Sequence, residues 1–238
     1  MSDVLRLTPH PLTPRCDENG VPTTKIAPYR PVVEPCAVCP AHCCHLRVKV
    51  AIDDAVALCR SIDVPLSAAL VVRTVAPHEH SFAVEEDPRI QHAAVGWTGH
   101  AELELIHDAE TGRCNQLVDI GGYQRCGVYA ARPTGCRTYP VGWATDTQRG
   151  GPGSVACPVA YAIRPQDERE FLGHVELALD RWARHKAIVD AWNERDAHPL
   201  DDFFVHALSE ANAEDVRIHG DAETRLHELQ VETGVLPG

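Results

Sequence analysis

The chain has 238 residues, which is long enough to bury a hydrophobic core without disulfide staples. Its 34 acidic residues outnumber its 22 lysines and arginines, and the resulting formal net charge of -12 argues against nucleic acid as a partner. Neither a signal-peptide pattern nor an apolar run of about 18 residues is present, so the sequence predicts a cytoplasmic protein with no membrane partner.

The N-terminal region, residues 1–33, is rich in proline and has no sustained hydrophobic periodicity. This composition predicts an extended arm that lies across the surface of the domain. Further along, the stretch VAIDDAVALCRSIDVP predicts a helix that is capped by Asp53 and stopped by Pro65. The stretch PLSAALVVRTVAP then predicts a second short helix.

The second half of the chain predicts a strand and a long helix. HAELELIHD alternates polar and apolar residues, as a half-buried strand does, and the following ETGRC is typical of a hairpin turn. Between Gln166 and Asn193, apolar residues recur at helical intervals. We therefore expect an α+β fold that is mostly helical, with short strands and long cysteine-rich loops tied by metal. Residues 34–164 would form a cysteine-cluster metal-binding domain, and residues 165–238 a helical extension packed on it.

Eight of the ten cysteines fall into two groups. The first group has the spacing Cys36-x2-Cys39-x3-Cys43-Cys44, and the second lies in or beside turns at positions 114, 126, 136 and 157. In a reducing cytoplasm, clustered cysteines are typical of metal sites rather than of disulfides. Thiolates in one fold converge on soft or borderline metals, so the two groups together predict a zinc or iron-sulfur site. The other two cysteines are expected to be a core residue, Cys59, and a free thiol in the arm, Cys16.

The choice of metal leaves two function classes open. Zinc usually takes its ligands as two close pairs, whereas here one Cys-x2-Cys pair is followed by cysteines separated by 11, 9 and 20 residues. This spacing favours an iron-sulfur cluster that is held from several loops and supports redox chemistry or activates a substrate. Eight candidate ligands exceed the four that one cluster needs, which leaves room for more than one metal centre. The alternative is a structural zinc module that acts by binding a partner protein.

The order of the cysteine motifs resembles a known family. The runs CAVCPAHCCHL, CNQL, CGVYAARPTGCRTYP and ACP are similar to the CxxCxxCC or YkgJ-like cysteine-cluster proteins, described as a zinc- or iron-chelating domain. That family includes flagellin lysine methylases, which are thought to carry an iron-sulfur cluster, so the resemblance implies iron, with a cluster of the 4Fe–4S type. Three residues rather than two precede the Cys43-Cys44 pair, which leaves open which of the two is the ligand. The metal ligands that the resemblance implies are Cys36, Cys39, Cys43, Cys44, Cys114, Cys126, Cys136 and Cys157.

Other polar residues could serve the same site. Arg132 and Arg137 could donate hydrogen bonds to a bound cluster or hold an anionic substrate, and salt bridges to acidic residues are the alternative. His78 and His80 alternate in PHEHSF and predict a second metal site if a third ligand is near. If the chain is an enzyme, we expect an iron-sulfur-dependent oxidoreductase or modifying enzyme. The partner, a protein or a small molecule, stays open, because no nucleotide or S-adenosylmethionine motif is recognisable.

Overall fold

The computed structural model describes residues 42–92, 96–120, 123–138 and 168–220. Helices contain more of these residues than strands do, and both kinds of element contribute to one core, which confirms the predicted α+β class. The helices are α1 (Ile52–Ile62), α2 (Leu66–Ala69), α3 (Thr134–Thr138), α4 (Glu168–Asn193) and α5 (Leu200–Glu210). The strands are β1 (Leu70–Thr74), β2 (Phe82–Ala83), β3 (His100–Leu105), β4 (Leu117–Ile120) and β5 (Tyr123–Cys126). Turns of 3-10 helix lie at His42–His45 and Tyr129–Ala131.

Helix α1 has Ala51 as its N-cap and no side chain caps it, so the predicted cap at Asp53 is wrong. Asp53 and Asp54 instead lie in the first turn, where acidic side chains interact favourably with the helix dipole. The C-cap, Asp63, adopts the left-handed conformation with φ of 50°, and Pro65 follows the end of the helix as predicted. The apolar face of α1 packs into the core.

The second predicted helix exists only as the short α2, after which the chain enters strand β1. The β-branched side chains of Val71 and Val72 favour an extended backbone. Strand β1 pairs antiparallel with β3, and Leu70 lies opposite Leu105. The helical interpretation of the second half of this stretch was therefore wrong, because pairing with β3 outweighs the local pattern.

Strand β3 is the centre of a three-stranded sheet with the order β1-β3-β2. The prediction of a strand at HAELEL is confirmed, but the strand is covered on both faces rather than half-buried. Glu102 and Glu104, which were expected on a polar face, are only 5% and 4% exposed. Their carboxylates pair with Lys49 at 2.6 Å and with Arg73 at 2.7 Å, which compensates for the loss of hydration.

The long helix predicted up to Asn193 is confirmed as α4, and its second half buries Ile188, Val189 and Trp192. Helix α5 follows with Pro199 as its N-cap. Its Phe203 ring stacks on Phe82 of β2 with 3.7 Å between ring centroids. Both helices therefore share one hydrophobic core with α1 and the three-stranded sheet.

The predicted arm, residues 1–33, and both predicted domain boundaries lie outside the described residues. Within the ranges that the structure describes, none of the helices combines the length and the apolar character needed to cross a membrane.

Candidate metal centre

The structure describes the predicted cysteine ligands only in part. Cys36, Cys39 and Cys157 lie outside the described residues. Cys43 lies in the 3-10 turn His42–His45, where its side chain is not among those described. Of the four remaining predicted ligands, Cys114 is buried. The other three, Cys44, Cys126 and Cys136, are partly buried against the core.

Cysteine-bearing segments from distant parts of the chain meet at one end of the core. The amide of Cys114 donates a hydrogen bond of 2.7 Å to the carbonyl of Cys44. The carbonyl of Cys114 accepts a bond of 3.0 Å from the amide of Leu117, which lies directly opposite Cys126 in the β4-β5 hairpin. The Cα atoms of opposed residues in an antiparallel pair are about 4.5–5.5 Å apart. Cys44, Cys114 and Cys126 therefore belong to one neighbourhood.

Helix α3, which carries Cys136, packs against the segment that follows Cys44. A Cβ atom built on Gly135 would lie 3.7 Å from Cγ1 of Val48 and 3.9 Å from the carbonyl oxygen of Lys49. The four predicted ligands whose side chains are described thus lie on segments in contact with one another.

A buried carboxylate that sequence reasoning missed fixes α3 in place. Asp54 of α1 is 2% exposed and accepts hydrogen bonds from the amide and the hydroxyl of Thr134, at 3.0 and 2.6 Å. Arg181 of α4 donates to the same carboxylate. Because Thr134 begins α3, this network ties the segment of Cys136 to two helices. No sequence signal distinguishes Asp54 from Asp53, since two adjacent aspartates at the start of a helix look alike.

The two predicted cofactor-binding arginines, Arg132 and Arg137, lie around the 3-10 turn that precedes α3. Arg137 donates from Nε to the carbonyl of Arg132 at 2.8 Å and from Nη2 to the carbonyl of Ala130. The guanidinium of Arg132 lies 3.9 Å from the centroid of the Tyr129 ring, within cation-π distance. These contacts give Arg137 a role in shaping the turn. A direct contact of either arginine with a cofactor stays a prediction.

His107, which sequence reasoning also missed, lies beside Cys114. The two residues form an isolated antiparallel bridge just beyond the end of β3. The Nδ1 atom of His107 is 2.9 Å from the carbonyl oxygen of Leu105, and its Nε2 atom is buried without a hydrogen-bond partner in the part of the chain that the structure describes. Extending the alternation of HAELEL by two residues would have placed His107 on the same face as Leu103 and Leu105.

A polar cleft of about 450 Å³ opens next to Cys114. Its lining includes Asp108, Arg113 and Asn115, and its volume falls in the range of small-molecule sites. The hydroxyl and the amide of Thr111 each donate to Asp108 at 2.7 Å, and these bonds lower the pKa of that carboxyl. Because Cys114 is one of its lining residues, the cleft borders the cysteine neighbourhood.

Of the alternating histidines of PHEHSF, His78 lies 3.2 Å from a carboxylate oxygen of Glu102, and His80 lies against helix α4. The ring of His80 is 5.0 Å from that of Trp182 and 6.2 Å from that of His185, measured between centroids. His185 is 2% exposed, donates from Nε2 to the carbonyl of His80 at 3.1 Å, and has its pKa lowered by burial to about 4. Among the described residues, no group of three or more histidine, cysteine or acidic side chains is arranged to hold a metal ion. His78 and His80 thus gain no third ligand within those ranges.

Cys59 is a core residue, as predicted. It is 2% exposed on α1, and burial raises the pKa of its thiol to about 11. Because metals bind the thiolate, a thiol with so high a pKa is a poor ligand at neutral pH. Cys16, the predicted free thiol, lies outside the described residues.

Comparison with known proteins found no relatives. No family model matches the chain. No curated protein and no solved structure shows significant similarity to it. The resemblance to the YkgJ-like proteins therefore rests on the short motifs alone.

Proposed function

We propose that the chain is a metal-binding cysteine-cluster protein that carries an iron-sulfur cluster for redox chemistry or for activating a substrate. The observation that carries the proposal is the hydrogen bond from the amide of Cys114 to the carbonyl of Cys44, which joins the two cysteine groups of the sequence. Cys126 and Cys136 lie on elements packed around the same segments. A cytoplasmic location belongs to this proposal, because a reducing compartment keeps such thiols available for metal.

The donor set in this neighbourhood suits such a cluster. Cysteine thiolates are the usual ligands of iron-sulfur clusters, and a histidine nitrogen replaces them in some. Here the partly buried cysteines accompany His107, whose Nε2 atom has no hydrogen-bond partner among the described residues. Partial burial limits the access of solvent, which is one of the ways in which a protein tunes a redox potential. When bound, such a cluster would supply electron transfer or an iron atom that activates a substrate.

The chain's own side chains hold the cysteine segments in position. Asp54 and Arg181 fasten the start of α3, and Arg137 closes the turn before it. The polar cleft beside Cys114 would admit a substrate or redox partner that is small and polar. This arrangement supports a site that a small molecule can reach.

The test is anaerobic purification of the full chain, followed by absorption spectroscopy and by analysis of iron, acid-labile sulfide and zinc. We expect a coloured protein with matching amounts of iron and sulfide. A colourless protein with stoichiometric zinc would contradict the iron-sulfur proposal and favour the alternative, a structural zinc module that binds a partner protein. Absence of any metal after anaerobic purification and reconstitution would contradict metal binding altogether.

A further inference from the structure

We propose that His107 is a ligand of the metal centre and binds through its Nε2 atom beside the thiolate of Cys114. This inference rests on the proposed metal-binding function. It adds to that function a nitrogen donor that the cysteine pattern does not contain.

The position of His107 follows from the alternation of strand β3. Residues two apart in a strand project to the same face. Ala101, Leu103 and Leu105 are 0%, 2% and 3% exposed and form part of the core. His107 is the next position in this series, so its ring lies at the end of the core where the cysteine segments meet.

The pairing of His107 with Cys114 brings the two side chains close together. The backbone bonds that flank the pair run from Asp108 N to Arg113 O at 2.7 Å and from Asn115 N to Ile106 O at 3.0 Å. This pattern defines a non-hydrogen-bonded antiparallel pair, in which the Cα atoms are about 4.5 Å apart and the side chains share a face. The imidazole and the thiol therefore project together, while the amide of Cys114 turns to Cys44 on its other side.

The hydrogen bonding of the ring leaves its second nitrogen ready to bind a metal. The carbonyl oxygen of Leu105, 2.9 Å from Nδ1, can only accept a hydrogen bond, so Nδ1 carries the proton of the neutral ring. The lone pair is then on Nε2. Histidines that ligate metals usually donate their other N–H to a carboxylate or a backbone carbonyl in this way. His107 is thus held in the tautomer that coordination requires.

The Nε2 atom of His107 is shielded from solvent and has no hydrogen-bond partner within the described ranges. A buried polar atom without a partner is uncommon in a folded protein and calls for an explanation such as a bound water or ion. The other described histidines with such an atom are His80, His185 and His198, and the ring of each packs against a tryptophan ring, with centroids 5.0, 5.2 and 5.5 Å apart. His107 differs from them because a cysteine lies directly opposite it. A metal ion bound to both residues would give this nitrogen a partner.

The chemical consequence is a centre with mixed nitrogen and sulfur ligation. His107 and Cys114 would supply two ligands, and the predicted cysteines would supply the others. In iron-sulfur centres, replacement of thiolate by imidazole raises the reduction potential. His107 would therefore hold the potential above that of an all-cysteine site.

X-ray absorption at the edge of the bound metal tests this inference, because imidazole gives a scattering pattern that thiolate does not. The samples are the full chain, His107→Cys, His107→Ala and the control His206→Ala, each purified anaerobically and, where needed, reconstituted with ferrous iron and sulfide or with zinc. His206 is a matched control, since its ring is half-buried but both nitrogens are engaged, by Arg195 at 2.9 Å and the carbonyl of Ile188 at 3.2 Å.

We expect imidazole scattering in the wild-type chain and in His206→Ala, a sulfur-only shell in His107→Cys, and a reduced metal content in His107→Ala. For an iron-sulfur centre, His107→Cys should also lower the reduction potential. His107→Cys keeps a metal-binding donor atom at this position, so the test can be made with this variant even if His107→Ala does not fold. Imidazole scattering that is absent from the wild type, or unchanged in His107→Cys, would overturn this inference and leave the metal-binding function intact. A wild-type chain without metal would overturn both.

Discussion

Two adjacent aspartates at the start of α1 have very different surroundings. Substituting each of them by asparagine gives two variants whose stabilities can be compared directly. Asp54 is 2% exposed and accepts bonds from Thr134 and Arg181, whereas the carboxylate of Asp53, 19% exposed, lies 3.5 Å from Arg184. We expect Asp54→Asn to lower the free energy of unfolding by about 3 kcal/mol, because it leaves a largely buried guanidinium without its counter-charge. Asp53→Asn should cost less than about 1 kcal/mol. Urea denaturation measures both values, and equal losses would show that Asp54 does not fasten α3.

The buried ring of His185 makes the stability of the fold depend on pH. Burial lowers its pKa to about 4 in the folded chain, and that of an unfolded histidine is about 6.5. Above about pH 6.5 both states are neutral and the full stability is present. As the pH falls towards 4, the unfolded chain takes up a proton that the folded chain excludes, so the free energy of unfolding should fall by about 3 kcal/mol.

Denaturation curves recorded between about pH 7 and 4 would show this loss. His185→Gln keeps an N–H that can donate to the carbonyl of His80 but does not titrate, so its stability should change less with pH. In the control His92→Gln, at an exposed position, the free energy of unfolding should change with pH as it does in the wild type. If the free energy of unfolding of His185→Gln falls with pH as steeply as that of the wild type, the pH dependence comes from other groups.

At the scale of single residues, the sequence predicted chemistry that depends on residue type and spacing. The core position of Cys59 follows from its place on an amphipathic helix, and the structure confirms it. The roles of Asp54 and His107 could not be predicted in the same way. The partners of Asp54 lie 80 and 127 residues away, and the tautomer of His107 depends on a backbone carbonyl whose direction no residue type indicates.

At the scale of elements, helix α4 closes an open edge of the sheet. Strand β2 has only two residues, and the amide and carbonyl of Ala83 face α4 rather than another strand. Asn193 Oδ1 accepts from the amide at 2.7 Å, and Trp192 Nε1 donates to the carbonyl at 2.7 Å. Side chains of a helix thus provide the hydrogen bonds that a neighbouring strand would otherwise make.

Removal of one of these side chains should weaken the attachment of β2 to α4. We expect Asn193→Ala to cost about 1 kcal/mol, because the partly buried amide of Ala83 then loses its partner. In hydrogen exchange, that amide should lose its protection, and Asp190→Ala, on an exposed part of the same helix, should leave it unchanged. Retention of protection in Asn193→Ala would show that packing alone shields the edge.

An element could be predicted from the sequence where interactions within its own residues stabilise it, and was missed where contacts with distant segments decide its structure. Helix α4 has 26 residues and a sustained periodicity, so its sequence is sufficient to predict it. Strand β1 was missed because PLSAALVV also fits a helix, and only its pairing with β3 decides against that. The buried polar face of β3 was missed for a similar reason. Its glutamates are covered by Lys49 and Arg73 from other segments of the chain.

At the scale of the whole molecule, the fold divides into a part that the core stabilises and an end where the cysteine segments meet. Helices α1, α4 and α5 pack with the three-stranded sheet around Trp192, Phe203 and Phe82, which are all fully buried. Of the described cysteines, Cys44, Cys126 and Cys136 are partly buried against this core and lie on short elements and turns, and Cys114 is buried beside them. We therefore expect metal binding to stabilise the cysteine end in particular, because ligand binding and local folding are coupled there.

Cysteine variants separate the metal centre from the core. We expect Cys136→Ser to lose most of the bound metal and to lower the melting temperature, as treatment of the wild type with a chelator should also do. Cys59→Ala is the matched control, since it removes a buried thiol from the core and should cost about 1 kcal/mol while the metal content stays complete. Metal analysis and thermal unfolding of the same anaerobic preparations measure both effects. Full metal content in Cys136→Ser would remove Cys136 from the ligand set, and loss of metal in Cys59→Ala would show that the core and the metal centre are not separable.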